Sequence, residues 1–293
     1  MKVGILAPLR SPQATPELVA ELARGAEEAG ASSIWPGEHV VLFPRPPSDE
    51  SGAARVGTPD GTFTLPPGSG LIDLTVVLSY LAALTSTVRL GTGVLILPQA
   101  NPVYAAKELA SLDWLSGGRV DFGIGVGSNA AEFAACGAPY EERGARCDEY
   151  VALIRALWRD DPARFDGRFW SLPDCHLDPK PRQAGGPPVI VGGHSPAALA
   201  RVARLGDGWY DIGRSPEATG ELLGTLDRLL AERDRDRHEL RVVMGAVGDP
   251  AQPASLDPYE ELGVDEVLVP LGRQDHDGLA RTLDAVHAFT TRR

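Results

Sequence analysis

Residues 88–132, VRLGTGVLILPQANPVYAAKELASLDWLSGGRVDFGIGVGSNAAE, constrain the fold more than any other stretch. They read strand, loop, helix, turn, strand and glycine-rich loop. Residues 88–97 are a β-branched and leucine run broken by Gly91 and Gly93. Ala105, Leu109, Leu112 and Leu115 fall at helical spacing, and Gly117-Gly118 stops that helix. Residues 120–127 form a second apolar strand that ends in Gly123, Gly125 and Gly127. Two apolar strands joined through a helix make a right-handed βαβ unit with parallel strands. Glycines crowd the C-terminal ends of both strands. In an α/β barrel those ends are where ligands bind, and a missing Cβ lets backbone approach a ligand closely.

The same unit repeats along the chain. Strands are expected at 2–8, 32–36, 188–193, 209–213, 240–247 and 266–271, beside the two above. Helices are expected between them, the first opened by Thr15-Pro16 and a later one by Ser195-Pro196, where proline at the first helical position costs no hydrogen bond. Eight strands, each followed by a helix, favour an α/β fold of the (β/α)8 TIM-barrel kind over an open doubly wound sheet. A single domain covers residues 1–293. Two segments fall outside the repeat. Residues 44–70, rich in Pro, Gly and Ser, are an insertion after strand two, either a lid or pocket wall or a plain insertion. Residues around 160–185, with Phe165, Phe169, Trp170 and His176, are an excursion beyond the barrel.

Charge and composition exclude several functions. With 28 basic and 40 acidic residues the net charge is −12, which argues against nucleic acid or an anionic membrane as partner. No stretch approaches the roughly 20 apolar residues that span a bilayer. The N-terminus MKVGILAPLR reads as a first strand, not a secretory signal, so the expected location is cytoplasmic. Cys136, Cys147 and Cys175 are odd in number and lack CxxC spacing, as expected of free thiols in a reducing compartment. His176, His238, His276 and His287 show no ligand spacing, so no metal is expected.

Two constellations carry chemistry. Gly192-Gly193-His194-Ser195 closes a strand and opens a helix, whose free N–H groups and positive dipole suit a phosphate. The same residues also suit a tight turn with an N-cap and no ligand. Glu38-His39 closes strand two at the mouth. His39 there is placed for proton transfer near neutral pH, with Glu38 fixing its tautomer or binding the ligand; a structural histidine is the alternative. Ser195 is no nucleophile elbow, because GxSxG is absent. No GxGxxG opens a helix and there is no Walker A sequence.

These pieces, taken together and in order, resemble the bacterial luciferase-like flavin and deazaflavin barrel oxidoreductases, most closely the branch that uses coenzyme F420. The matching segments are GEHVVLFPRP at 37–46, the Pro/Gly insertion, residues 89–127, the helix region 139–158, PKP at 179–181 and residues 187–213. The resemblance covers nearly the whole chain. It implies a (β/α)8 barrel, a homodimer, a small-molecule substrate and a ring cofactor, F420 or alternatively FMN, across the C-terminal mouth. It implies a non-prolyl cis peptide at Gly93-Val94 beneath the ring, with Gly125, Gly127, Ser128 and Asn129 beside it. The phosphate grip falls on Gly192, Gly193, His194 and Ser195, and the proton-transfer pair on His39 and Glu38. One position departs: where the family's sugar-phosphate dehydrogenase has a catalytic glutamate, this chain has Ser128. Asn129 and Glu132 are further candidates to line the site. The implied activity is hydride transfer between the deazaflavin C5 and a small organic substrate. The competing readings are an FMN-dependent monooxygenase and a non-catalytic cofactor-binding protein on the same fold.

Overall fold

A computed structural model describes residues 1–43, 68–246 and 256–291, and the backbone of 54–58 and 61–65. Eight parallel strands form its centre: β1 Lys2–Leu6, β2 Ser33–Trp35, β3 Arg89–Gly91, β4 Val120–Gly125, β5 Val189–Gly192, β6 Gly208–Ile212, β7 Arg241–Gly245 and β8 Glu266–Pro270. Each pairs with its sequence neighbours, and β1 pairs with β8, so the sheet closes into the expected barrel. The helices alternate with the strands: α1 Pro16–Glu28, α2 Leu74–Leu84, α3 Pro102–Ser116, α4 Ala130–Ala135, α5 Arg143–Arg159, α6 Pro196–Leu205, α7 Pro216–Ala231, α8 Asp257–Glu261 and α9 His276–Thr290. Among the described residues no helix is long and apolar enough to cross a membrane.

A recurrent local device starts the helices. Thr15, Asn101, Ser195 and Ser215 each accept a backbone N–H of the first turn through the side chain, and each is followed by a proline at the first helical position. The cap satisfies an orphan donor and the proline removes another. The excursion at 160–185 is a hairpin, Ala163–Asp166 against Ser171–Cys175. In the insertion, Ala54–Thr58 pairs with Gly61–Leu65 as a second hairpin. The reading of 44–70 as a lid falls largely outside the described residues.

The apolar run at 88–97 is not one strand. β3 ends at Gly91, the peptide between Gly93 and Val94 is cis, and the chain resumes at Leu95–Ile96, which pairs with the end of β4. The expected cis peptide is therefore present.

Strand alternation divides the core in two. Val189, Val191, Trp209, Val242, Met244, Val267 and Val269 face the helices and join the main apolar core. Trp35, Ile190, Tyr210, Val243 and Leu268 form a separate cluster inside the barrel. Trp35 and Tyr210 stack with ring centroids 5.3 Å apart. Trp35 fills volume that interior glycines leave empty: a Cβ on Gly91 would lie 2.2 Å from Trp35 Cδ2, and one on Gly123 would lie 3.0 Å from Trp35 Cζ3.

The N-terminal end of the barrel is closed by charge. Arg241 donates to Asp121 Oδ2 at 2.6 Å and to Glu266, while Arg89 donates to Asp121 Oδ1 at 2.6 Å. Asp121 and Glu266 are fully buried. Burial opposes the charge on Arg241, but the two carboxylates outweigh it and raise its pKa. Ser33 Oγ donates to Glu266 at 2.6 Å and accepts from Trp35 Nε1 at 2.7 Å, so the base network also fixes the Trp35 ring. The C-terminal mouth is left for chemistry.

Candidate active site

Beyond Trp35 the chain turns through Pro36, which accepts the Gly93 N–H at 2.8 Å and ties the strand-two loop to the cis peptide. Glu38 then accepts the Ile96 N–H through Oε2 at 2.5 Å, gripping the far side of the same bulge. Burial pushes the Glu38 carboxyl up to about 7, and the negative Glu132 and Asp73 add to it, against the Ile96 N–H and His39. A carboxyl at that value can hold or release a proton near neutrality.

His39 is not oriented by Glu38. Its Nδ1 lies 2.9 Å from Glu132 Oε2, and the Val40 N–H donates to Glu132 Oε1 at 2.7 Å. Glu132 is 1% exposed and sits in the short helix α4. Asn129, expected beside the cofactor, spends its side chain capping α4 through the amides of Ala131 and Glu132. Ser128 is exposed, and its carbonyl accepts the Tyr140 hydroxyl at 3.2 Å. A carboxylate does lie four residues beyond Ser128, at Glu132. The clue was visible as Asn-x-x-Glu, yet that pattern equally spells a capping box.

Within the chain itself, the strand-end glycines make room for neighbouring side chains. A Cβ on Gly125 would lie 2.5 Å from Val94 Cγ2, and one on Gly192 would lie 2.9 Å from Val94 Cγ1. They make room for the Val94 side chain, which is clamped between β4 and β5. A Cβ on Gly127, at φ 70°, would lie 2.6 Å from Ile96 Cγ2 and 2.7 Å from Phe133 Cε2. Gly193 differs: its φ is 104°, and a Cβ there would meet only Ala198 Cβ at 3.5 Å. It needs glycine for its backbone shape, not for space.

Gly193 places the opening of α6. Its own N–H bonds to the Tyr210 carbonyl at 2.9 Å, and its carbonyl accepts Trp209 Nε1 at 2.8 Å. Among the described residues the His194 and Ser195 amides have no backbone acceptor. Ser195 Oγ accepts the Ala198 N–H at 3.2 Å, which leaves its own O–H as a donor. His194 Nδ1 lies 3.3 Å from Asp211 Oδ2, which Arg214 Nε also approaches at 3.3 Å. Burial raises the Asp211 pKa, against His194 and Arg214. Two free amides, a helix dipole and a nearby imidazole suit a phosphate. The structure therefore places the predicted residues in two groups, Glu38 and His39 after strand β2 and Gly193 and His194 at the start of α6. Tyr210 was missed: its buried hydroxyl has no partner among the described residues, beneath Gly93.

Residues 1–248 match the model of the luciferase-like monooxygenase family. The chain belongs to that family. An uncharacterised protein of Mycobacterium tuberculosis is 36% identical over 218 residues, 74% of this chain and 70% of that one. The FMNH2-dependent dimethylsulfone monooxygenase of Pseudomonas putida is 31% identical over 169 residues, 56% of this chain and 46% of that protein. Among solved structures, the coenzyme F420 dependent tetrahydromethanopterin reductase of Methanopyrus kandleri superposes with a TM-score of 0.75 at 17% identity, over 98% of this chain and 97% of that one. Proteins similar to this chain thus include one named as F420-dependent, by fold, and one named as FMNH2-dependent, by sequence.

The raised Glu38 carboxyl has a consequence for this luciferase-like chain that needs no cofactor. A pKa raised on folding, from 4.5 to about 7, favours the folded state only while the group is protonated. That contribution is complete below about pH 4.5 and is lost as pH rises through about 7. The native protein should therefore lose up to about 3 kcal/mol between roughly pH 5 and pH 8 that Glu38→Gln does not lose. Urea unfolding of both at the two pH values measures it; parallel losses would contradict it.

Proposed function

We propose that this chain is an F420-dependent oxidoreductase acting on an unsaturated or imine-like small molecule. The observation that carries the reading is the set Glu38, His39 and Glu132: an imidazole paired with one carboxylate, and on the adjoining residue a second carboxyl that grips the bulge after Gly93-Val94 through the Ile96 N–H. Such a set suits a reaction in which a hydride and a proton reach a double bond together. The deazaflavin supplies the hydride from C5 when bound. Val94 presents an apolar surface to the ring, held in place by Gly125 and Gly192. The His194 and Ser195 amides would hold a cofactor phosphate at the start of α6. His39 holds or moves the proton at Nε2, and Glu38 is a second carboxyl able to donate one near neutrality.

The test is anaerobic. Reduced F420 is mixed with the protein and a panel of unsaturated ketones, esters and imines, and recovery of the oxidised deazaflavin's visible absorbance is followed. Recovery that needs both protein and acceptor supports the reading. The second reading is an FMN-dependent monooxygenase, favoured by the identity to the dimethylsulfone enzyme. It predicts the opposite pattern: turnover only with reduced FMN and oxygen.

A further inference from the structure

We infer that Glu132 is the positioning residue for His39, fixing its ring and the tautomer that leaves Nε2 as the nitrogen able to take a proton. The catalytic meaning rests on the proposed function; the geometry belongs to the chain itself.

The two oxygens of Glu132 have separate duties. Oε2 faces His39 Nδ1 at 2.9 Å, and Oε1 takes the Val40 N–H at 2.7 Å with the Gln99 amide at 3.5 Å. An ionised carboxylate can only accept, so Nδ1 must carry the proton in the neutral ring. Burial by itself would raise the Glu132 pKa, but the hydrogen bonds from His39, Val40 and Gln99 outweigh it and lower it, keeping the acceptor charged. With Nδ1 committed, Nε2 is the remaining ring nitrogen, and among the described residues it has no partner. The side chain of His39 is 16% exposed against 1% for Glu132, so the imidazole lies between the buried carboxylate and the open mouth. Asn129 satisfies the first amides of α4, which frees Glu132 from the capping duty its sequence position suggests.

The Val40 amide makes the inference testable with one substitution. In Glu132→Gln the amide oxygen must stay at Oε1, because Val40 and Gln99 both donate there. The glutamine NH2 then occupies the former Oε2 position and donates to His39 Nδ1. That reverses the tautomer, placing the proton on Nε2, while the carbon skeleton is unchanged.

Protein labelled with 15N-histidine, free of cofactor, is examined by long-range 1H–15N correlation at a pH where the imidazole is neutral. His39 is assigned by the signals missing from His39→Asn. The native protein should show the Nδ1–H form, and Glu132→Gln the Nε2–H form with an unchanged circular dichroism spectrum. A native Nε2–H form, which needs no variant to observe, would overturn the inference, as would the same tautomer in both proteins. A residue that only helped α4 to form would leave the tautomer alone. Failure to bind any deazaflavin would sink the proposed function and leave this result standing, so the two failures are distinct.

Discussion

His39→Ala should lower turnover by about 10²- to 10⁴-fold, the range a positioned acid or base contributes. Cofactor affinity should stay within a few-fold, because the phosphate is expected at Gly193–Ser195 and the ring at Val94. The expectation follows from how the histidine is held. The ring is partly exposed at the mouth, and without it Glu132 still accepts the Val40 N–H, so the main loss is Nε2. Steady-state rates and a fluorescence titration on the same variant separate the two effects. Unchanged turnover would remove His39 from the mechanism, whereas affinity lost in proportion to rate would make it a binding residue.

Arg241→Met should cost about 3–5 kcal/mol of stability, although Arg241 lies at the end of the barrel opposite the mouth. The guanidinium compensates two fully buried carboxylates, Asp121 and Glu266. Asp121 would keep Arg89, but Glu266 would be left with serine hydroxyls alone. A buried charge stripped of its counterion costs far more than the intact pair contributes. Adding Glu266→Gln to Arg241→Met should recover part of the loss, since the stranded charge is gone. Urea midpoints at constant m-value test both variants. A double variant no better than the single one would mean that the cost is lost packing and not the uncompensated charge.

The barrel was legible because strand and helix periods alternate along most of the chain, outside the 44–70 and 160–185 segments, and because Thr15-Pro16 and Ser195-Pro196 mark helix starts by local chemistry. Long-range pairing was not. Nothing local distinguishes Glu132 as the partner of a histidine 93 residues earlier, and Asn129-x-x-Glu132 fits an ordinary helix start better. The glycines were found, but the side chains they make room for were not legible. Backbone beside a ligand and backbone beside a buried Val94 or Trp35 both demand a missing Cβ, and the sequence pattern is the same for each. Gly91 and Gly93 marked a break in the run at 88–97, and the strand does stop at Gly91.

The proposal that this luciferase-like barrel uses a deazaflavin is tested most directly by binding. Purified protein is titrated with oxidised F420 and, separately, with FMN, each followed by fluorescence. Saturable F420 binding that is weakened by replacing Gly193 with valine, together with little affinity for FMN, is the expected result. Tight FMN binding with none for F420 would contradict it.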